Sequence, residues 1–176
     1  MNMEHNNISI RTINDLLKNN FFIPSYQRGY RWTEQQVTEL LNDINEFSPK
    51  EIENSNEKTW YCLQPIVVKK KDDNEWDVID GQQRLTSLNL LLVAIYNRMC
   101  AFVDDEDINF KKSSLKRMIV SDKKTRLVPQ KQGKNKEDFE YLLNSEIIKV
   151  PAAKPSNYGN RRISKNYNWF KEYVDK

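Results

Sequence analysis

Residues 23–32 read Ile23-Pro24-Ser25-Tyr26-Gln27-Arg28-Gly29-Tyr30-Arg31-Trp32, so two arginines, a glutamine and three aromatic rings share one turn-rich stretch. A guanidinium is a rigid fork of donors suited to phosphate, and tyrosine or tryptophan rings offer faces on which a base can stack. The same residues also suit an anchored loop, with its rings over the core and its arginines paired to local acids. A second segment, Val78-Ile79-Asp80-Gly81-Gln82-Gln83-Arg84-Leu85-Thr86-Ser87, has the pattern of a strand, a tight turn and a helix start. Gly81 permits the backbone conformation that such a turn often needs. The amides of Gln82 to Leu85 then point out of the helix N-terminus, backed by the positive end of its dipole. Arg84 adds charge, the two glutamines add donors or acceptors, and Asp80 can hold Mg²⁺ or position a water. Taken generically, an Asp-Gly turn opening a helix is a common structural device.

Composition narrows the chemistry. Only 4 of 176 residues are glycine, where ordinary usage gives about 12, and no two share a loop. The clustered glycines of Walker or Rossmann phosphate loops are therefore absent, and any phosphate site must be built on a single-glycine turn. Cys62 and Cys100 are isolated and His5 is the one histidine, which excludes a typical zinc site and disfavours a histidine triad. Acidic residues are plentiful enough for carboxylate-bound Mg²⁺. With 38% hydrophobic and 30% charged residues, no apolar run of membrane-spanning length and no signal-like start, a cytoplasmic protein without a membrane partner is expected. Charge is uneven. Residues 1–110 carry 11 basic against 18 acidic side chains, a balance of −7, whereas residues 111–176 carry 17 against 7, or +10. Such a basic third suits nucleic acid or an acidic partner, or it is simply a solvated helical surface.

The elements that must position the two segments follow from periodicity. A short helix is expected over 12–19 with Thr12 as its cap, then an extended entry at Phe21-Phe22-Ile23 before Pro24. Thr33 and Gln36 form a capping box for a helix over 33–47, whose apolar face is Val37, Leu40, Leu41, Ile44 and Phe47. Residues 49–58 read as a loop. Strands are expected at 60–68 and 75–79, joined by a hairpin, with Pro65 placing the first at an edge or bulge. Residues 85–103 are apolar nearly all round, as in a buried central helix. Beyond it the pattern gives an acidic turn at 104–107, a second hairpin over 117–120 and 125–128, and a helix at 135–144. A last amphipathic helix carries Ile163, Tyr167, Phe170 and Val174 and shows no stop signal before Lys176, so the chain reads as cut from something longer.

The pair of segments 23–32 and 80–92 (DGQQRLTSLNLLL) resembles the N-terminal domain of the GmrSD-type, modification-dependent restriction and phage-defence proteins. The resemblance extends over most of the chain, through Tyr61–Val68, the long apolar helix, and Arg126-Leu127-Val128-Pro129 ahead of Asp138-Phe139. Many members have Leu-Gly where this chain has Leu63-Gln64-Pro65. The resemblance implies an α+β fold of the ParB/sulfiredoxin-like kind, a small mixed sheet packed by helices. A nucleotide-binding core over 1–103 and a basic, mainly helical extension over 104–176 are expected. It also implies binding and hydrolysis of a nucleoside triphosphate, GTP or ATP with Mg²⁺, to gate a downstream or partner HNH nuclease. The chain itself, with one histidine, is not expected to cut DNA. Carried over by position, Asp80, Gln83 and Arg84 are the catalytic candidates, with Asp80 the metal ligand. Tyr26, Gln27, Arg28, Arg31, Trp32, Gly81, Gln82, Arg84 and Thr86 are the nucleotide-binding candidates. A competing expectation is a ParB-like module that senses modified DNA through 111–176 and catalyses nothing itself.

Overall fold

The computed structural model describes residues 8–52, 58–102, 105–122 and 124–176; His5, Val103 and Asp104 lie outside them. The core begins with two neighbouring hydrophobic pulses, Leu17 and Phe21-Phe22-Ile23. A single helical turn, α1 (Ile13–Leu16), is capped by Thr12, whose side chain accepts from the Asp15 amide at 3.1 Å. Strand β1 (Asn20–Ile23) follows and ends where Pro24 cannot continue a ladder. Helix α2 (Glu34–Glu46) starts at the predicted capping box, the Thr33 N–H donating to Gln36 Oε1 at 2.7 Å. Its buried face is Val37, Leu40 and Leu41, while Ile44 is exposed, so the stripe is covered for about two turns only.

The strand expected at 60–68 is displaced. Residues 60–66 are irregular, and β2 is Val67–Asp72. Pro65 lacks a ladder donor, and Gln64 takes a left-handed φ of 68°. Part of the stretch expected as the connection is therefore strand, and the turn is the two-residue Asp73-Asn74, with Asn74 at φ 58°. Strand β3 (Glu75–Asp80) returns antiparallel to β2 and leads into α3 (Gln82–Met99), which begins three residues earlier than its apolar run. Of the acidic stretch expected as a turn, the described residues 105–107 are a helix start. Asp105 accepts the Ile108 amide at 3.0 Å and caps α4 (Glu106–Ile119), an element the weak apolar pattern did not reveal.

The second hairpin is shorter than expected. Only β4 (Val120–Ser121) and β5 (Lys124–Thr125) pair with each other. The chain then turns away, and β6 (Leu127–Pro129) joins the main sheet instead. That sheet has the order β2-β3-β1-β6, with β1 parallel to both β3 and β6 and only the β2–β3 pair antiparallel. Helix α5 (Lys134–Leu143), a π turn (Asn144–Ile148) and α6 (Arg162–Val174) complete the chain. The fold is α+β, as predicted: six helices with a small mixed sheet and a separate two-stranded one. Segments 1–103 and 104–176 share the main sheet and one hydrophobic core, which runs from Phe21, Val78 and Leu85 to Leu127, Phe139 and Phe170.

Gly81 joins β3 to α3 at φ 92°, and a β-carbon there would lie 3.1 Å from Ile66 Cγ1. Gly81→Ala combines a left-handed L-residue with this crowding. It is expected to cost about 1–3 kcal/mol, measured as a lowered denaturant midpoint with an unchanged slope.

Candidate functional site

Parallel strands end on the same side of a sheet. The chain leaves β1 at Ile23 and β3 at Asp80, in neighbouring strands with Phe22 paired to Asp77. Segments 24–32 and 81–87 consequently emerge side by side, although 48 residues separate them. The edge beyond the carboxyl ends of parallel strands is where open α/β sheets commonly place ligands. Here that edge holds an open cleft of about 430 Å³ lined by Gln27, Arg28, Trp32, Asp80, Gly81, Gln82, Gln83 and Arg84.

Gln83 joins the two segments. It is 7% exposed. Its Oε1 accepts from the Arg31 amide at 2.7 Å and the Trp32 amide at 3.3 Å, and its Nε2 donates to the Gly29 carbonyl at 3.1 Å. A single side chain thus satisfies three backbone groups of the loop, which otherwise have no ladder to join. Gln27 adds a second tie, Nε2 donating to the Ile79 carbonyl at 2.8 Å. Beneath the loop Tyr30 is buried. Its hydroxyl shares a 2.7 Å hydrogen bond with Ser87 Oγ and accepts from Asn166 Nδ2 at 2.8 Å. Burial pushes the Tyr30 hydroxyl pKa up, against the smaller opposing effect of those two bonds, so the phenol stays protonated.

The first turn of α3 faces the cleft without a cap, because Gly81 at the N-cap position has no side chain. Gln82 is also 7% exposed, lines the cleft and has no side-chain hydrogen bond to the described residues. Arg84 donates from Nη1 to the Pro65 carbonyl at 2.9 Å and from Nη2 to Gln64 Oε1 at 2.6 Å. Those are neutral acceptors, and a guanidinium has five N–H groups. Among the described residues no carboxylate pairs with Arg28 or Arg84. Among the described residues the cleft therefore combines two cations that no carboxylate pairs with, the open amides of an 18-residue helix and the Gln82 side chain, which makes no hydrogen bond to them. Such a set favours an anion.

Not every expected residue reaches this cleft. Tyr26 is 72% exposed and Arg31 projects to solvent, and neither lines it. Thr86 is buried, its hydroxyl donating to the Gln82 carbonyl at 2.8 Å. Asp80 lines the cleft and is exposed, but among the described residues no three His, Cys, Asp or Glu side chains converge on a metal position. A single carboxylate fits Mg²⁺ carried largely by water and phosphate oxygens, and does not fit a protein-caged ion.

Sequence reading missed Asn166, Ser87, Gln64 and Asn135. Asn166 sits among the apolar residues of α6, between Ile163 and Phe170, and that polar break in a buried stripe was its signal. Asn135, in the first turn of α5, fills the space beside Gly29: a β-carbon on Gly29 would collide with its side-chain amide. The basic third is also partly committed to the fold. Arg126 donates to the carbonyls of Arg117 and Lys18, and Arg161 pairs with buried Asp138 at 2.6 Å.

Replacing Gln83 with leucine keeps the volume and removes all three loop contacts. The Gly29 carbonyl and the Arg31 and Trp32 amides then lose their partners, at about 1–3 kcal/mol for each group that water cannot reach. Faster amide exchange over residues 29–32, with α5 unaffected, is the expected measurement.

In comparison with known proteins, residues 11–175 match the family described as GmrSD restriction endonuclease, N-terminal domain. No curated protein matches the chain.

Proposed function

The chain belongs to the GmrSD restriction endonuclease N-terminal domain family, and from that premise we propose that its cleft binds and hydrolyses a nucleoside triphosphate. The observation that carries this reading is the placement of Arg28 and Arg84, which no carboxylate among the described residues neutralises, with the uncapped N-terminus of α3 around a space of about 430 Å³. A polyphosphate is the ligand that such a set suits: several negative oxygens, close together, facing fixed donors. Trp32, half-buried on the cleft wall, offers a face for the base.

In the proposed arrangement the phosphates lie over the first turn of α3, and its amides donate to them. Arg84 turns its remaining donors toward the chain of phosphates while staying tethered to Gln64 and Pro65. Arg28 closes the opposite side. Mg²⁺, held at Asp80 and by the phosphates, would supply charge neutralisation at the transferring group. Phosphoryl transfer depends mainly on positioning and charge stabilisation, so a site without histidine suffices. Gln83 acts here by holding the loop rather than by touching the phosphate, since both its polar atoms already bond backbone. The family name places a nuclease with this domain; gating of an HNH nuclease by the bound or hydrolysed nucleotide completes the proposal. No helix among the described residues is long and apolar enough to cross a membrane, and a cytoplasmic setting is part of the same reading.

Nucleotide binding and hydrolysis are measured with Mg–GTP and Mg–ATP on the chain, on Arg84→Ala and on Asp80→Ala. Arg84→Ala is expected to weaken binding about tenfold or more, the scale of about 1.5–3 kcal/mol for a hydrogen bond to a charged group. Asp80→Ala is expected to abolish the metal dependence of hydrolysis. Equal affinity in all three proteins rejects the site. Duplex binding with a steep salt dependence and no nucleotide binding would instead support DNA sensing through 111–176.

A further inference from the structure

Asn166 lies on α6, 134 residues beyond Trp32, and is 2% exposed. A side-chain amide has two N–H groups. Its Nδ2 donates both to the candidate loop: one to the Tyr30 hydroxyl at 2.8 Å and one to the Trp32 carbonyl at 3.0 Å. Tyr30 passes the connection on to Ser87, in the second turn of α3, at 2.7 Å. The Trp32 amide, on the other side of the same residue, is held by Gln83. The cleft wall is thus clamped from two directions, by the helix start that would bear the phosphates and by a helix near the other end of the chain.

We propose that Asn166 is a positioning residue of the cleft, setting the loop from Tyr30 to Trp32 and through it the seats of Arg28 and Trp32. The inference rests on the nucleotide reading for its ligand, but its geometry stands independently of it. Tyr30 and the Trp32 carbonyl are polar groups in a buried setting, and each needs a partner there. Ser87 on α3 meets part of the need of Tyr30, and α6, seated against α3, brings the second partner of Tyr30 and the partner of the Trp32 carbonyl. Asn166 breaks the apolar stripe of Ile163, Tyr167 and Phe170, where a hydrophobic residue would have packed without polar cost. Its donors account for the exception. The same clamp makes α6 sensitive to the cleft: a ligand that orders residues 28–32 also steadies the groups to which Asn166 is bonded, and the coupling is reciprocal.

The test uses the 176-residue chain with Asn166→Ala and Tyr30→Phe, which removes only the hydroxyl. Asn89→Ala is the control, because Asn89 is an equally buried asparagine that donates to the Leu85 carbonyl within α3 and, among the described residues, makes no hydrogen bond to the loop. All proteins are compared well below their melting temperatures. Dissociation constants for Mg–GTP and Mg–ATP are read beside amide exchange over residues 28–33. Asn166→Ala and Tyr30→Phe are expected to weaken binding about tenfold, toward the low end of what two neutral hydrogen bonds are worth, and to speed exchange in the loop. Asn89→Ala is expected to do neither, whatever its melting temperature. Unchanged affinity and unchanged exchange in Asn166→Ala overturn the proposal, as does an equal loss in Asn89→Ala. If the unmodified chain binds neither nucleotide, the nucleotide reading fails, and exchange alone decides: a loop loosened by Asn166→Ala but not by Asn89→Ala upholds the positioning role, and an unchanged loop overturns it.

Discussion

The parallel pairing of β1 with β3 is the constraint on which the rest of this structure depends. Two strands side by side in the same direction must release their chains at the same edge, and both released chains here are rich in arginine and amide side chains. Had β3 run antiparallel to β1, the segments after Ile23 and after Asp80 would lie at opposite ends of the sheet. The β2–β3 hairpin makes the arrangement possible: it reverses the chain once, so that β3 returns in the direction of β1. A third parallel strand, β6, delivers residues 130–135 to the same edge, and the Gln130 amide bonds the Ile23 carbonyl at 2.9 Å.

Loops at such an edge cannot join a ladder, and their backbone groups must find other partners. Gln83 meets three of these needs and Asn166 a fourth. Buried amides are well suited to this because each presents donors and an acceptor in fixed positions, without the desolvation penalty of a charge. The division of labour that follows is physical. The amides that hold the loop are buried, whereas the cations that suit a ligand line the open cleft and form no ion pair with a carboxylate among the described residues. A guanidinium already neutralised by a fixed carboxylate would have less to offer an incoming anion.

Charge along the chain has a similar double meaning. The excess of basic residues after position 110 suggests a surface for nucleic acid when counted, yet two of its arginines do structural work. Arg126 satisfies carbonyls where α1, β1 and α4 meet, and Arg161 offsets the buried carboxylate of Asp138. Burial still dominates at Asp138, raising its carboxyl pKa above the usual value, and one of its oxygens has no hydrogen-bond partner among the described residues. Counting charges overstates how many of them face outward.

Local physics determined much from the sequence alone. The capping box at Thr33, the Thr12 cap, the all-round apolar helix after Gly81 and the single-glycine turn were legible because each depends on residues within a few positions of one another. Both candidate segments were visible for the same reason, since their unusual residue types are contiguous. What sequence could not decide was which partners those residues would take. Gln83 resembled a ligand-facing amide until the loop's backbone was placed on it, and Thr86 a binding hydroxyl until its own helix took the bond. Leu127–Pro129 looked like half of a hairpin, but the open edge of β1 supplied a longer ladder than β4 could. Asn166 was assigned to no site at all. The Thr86 bond spans four positions, but the pairings of Gln83, Leu127 and Asn166 span 51 to 136, where the competition among buried polar groups for a limited set of donors is settled only when the whole core has formed.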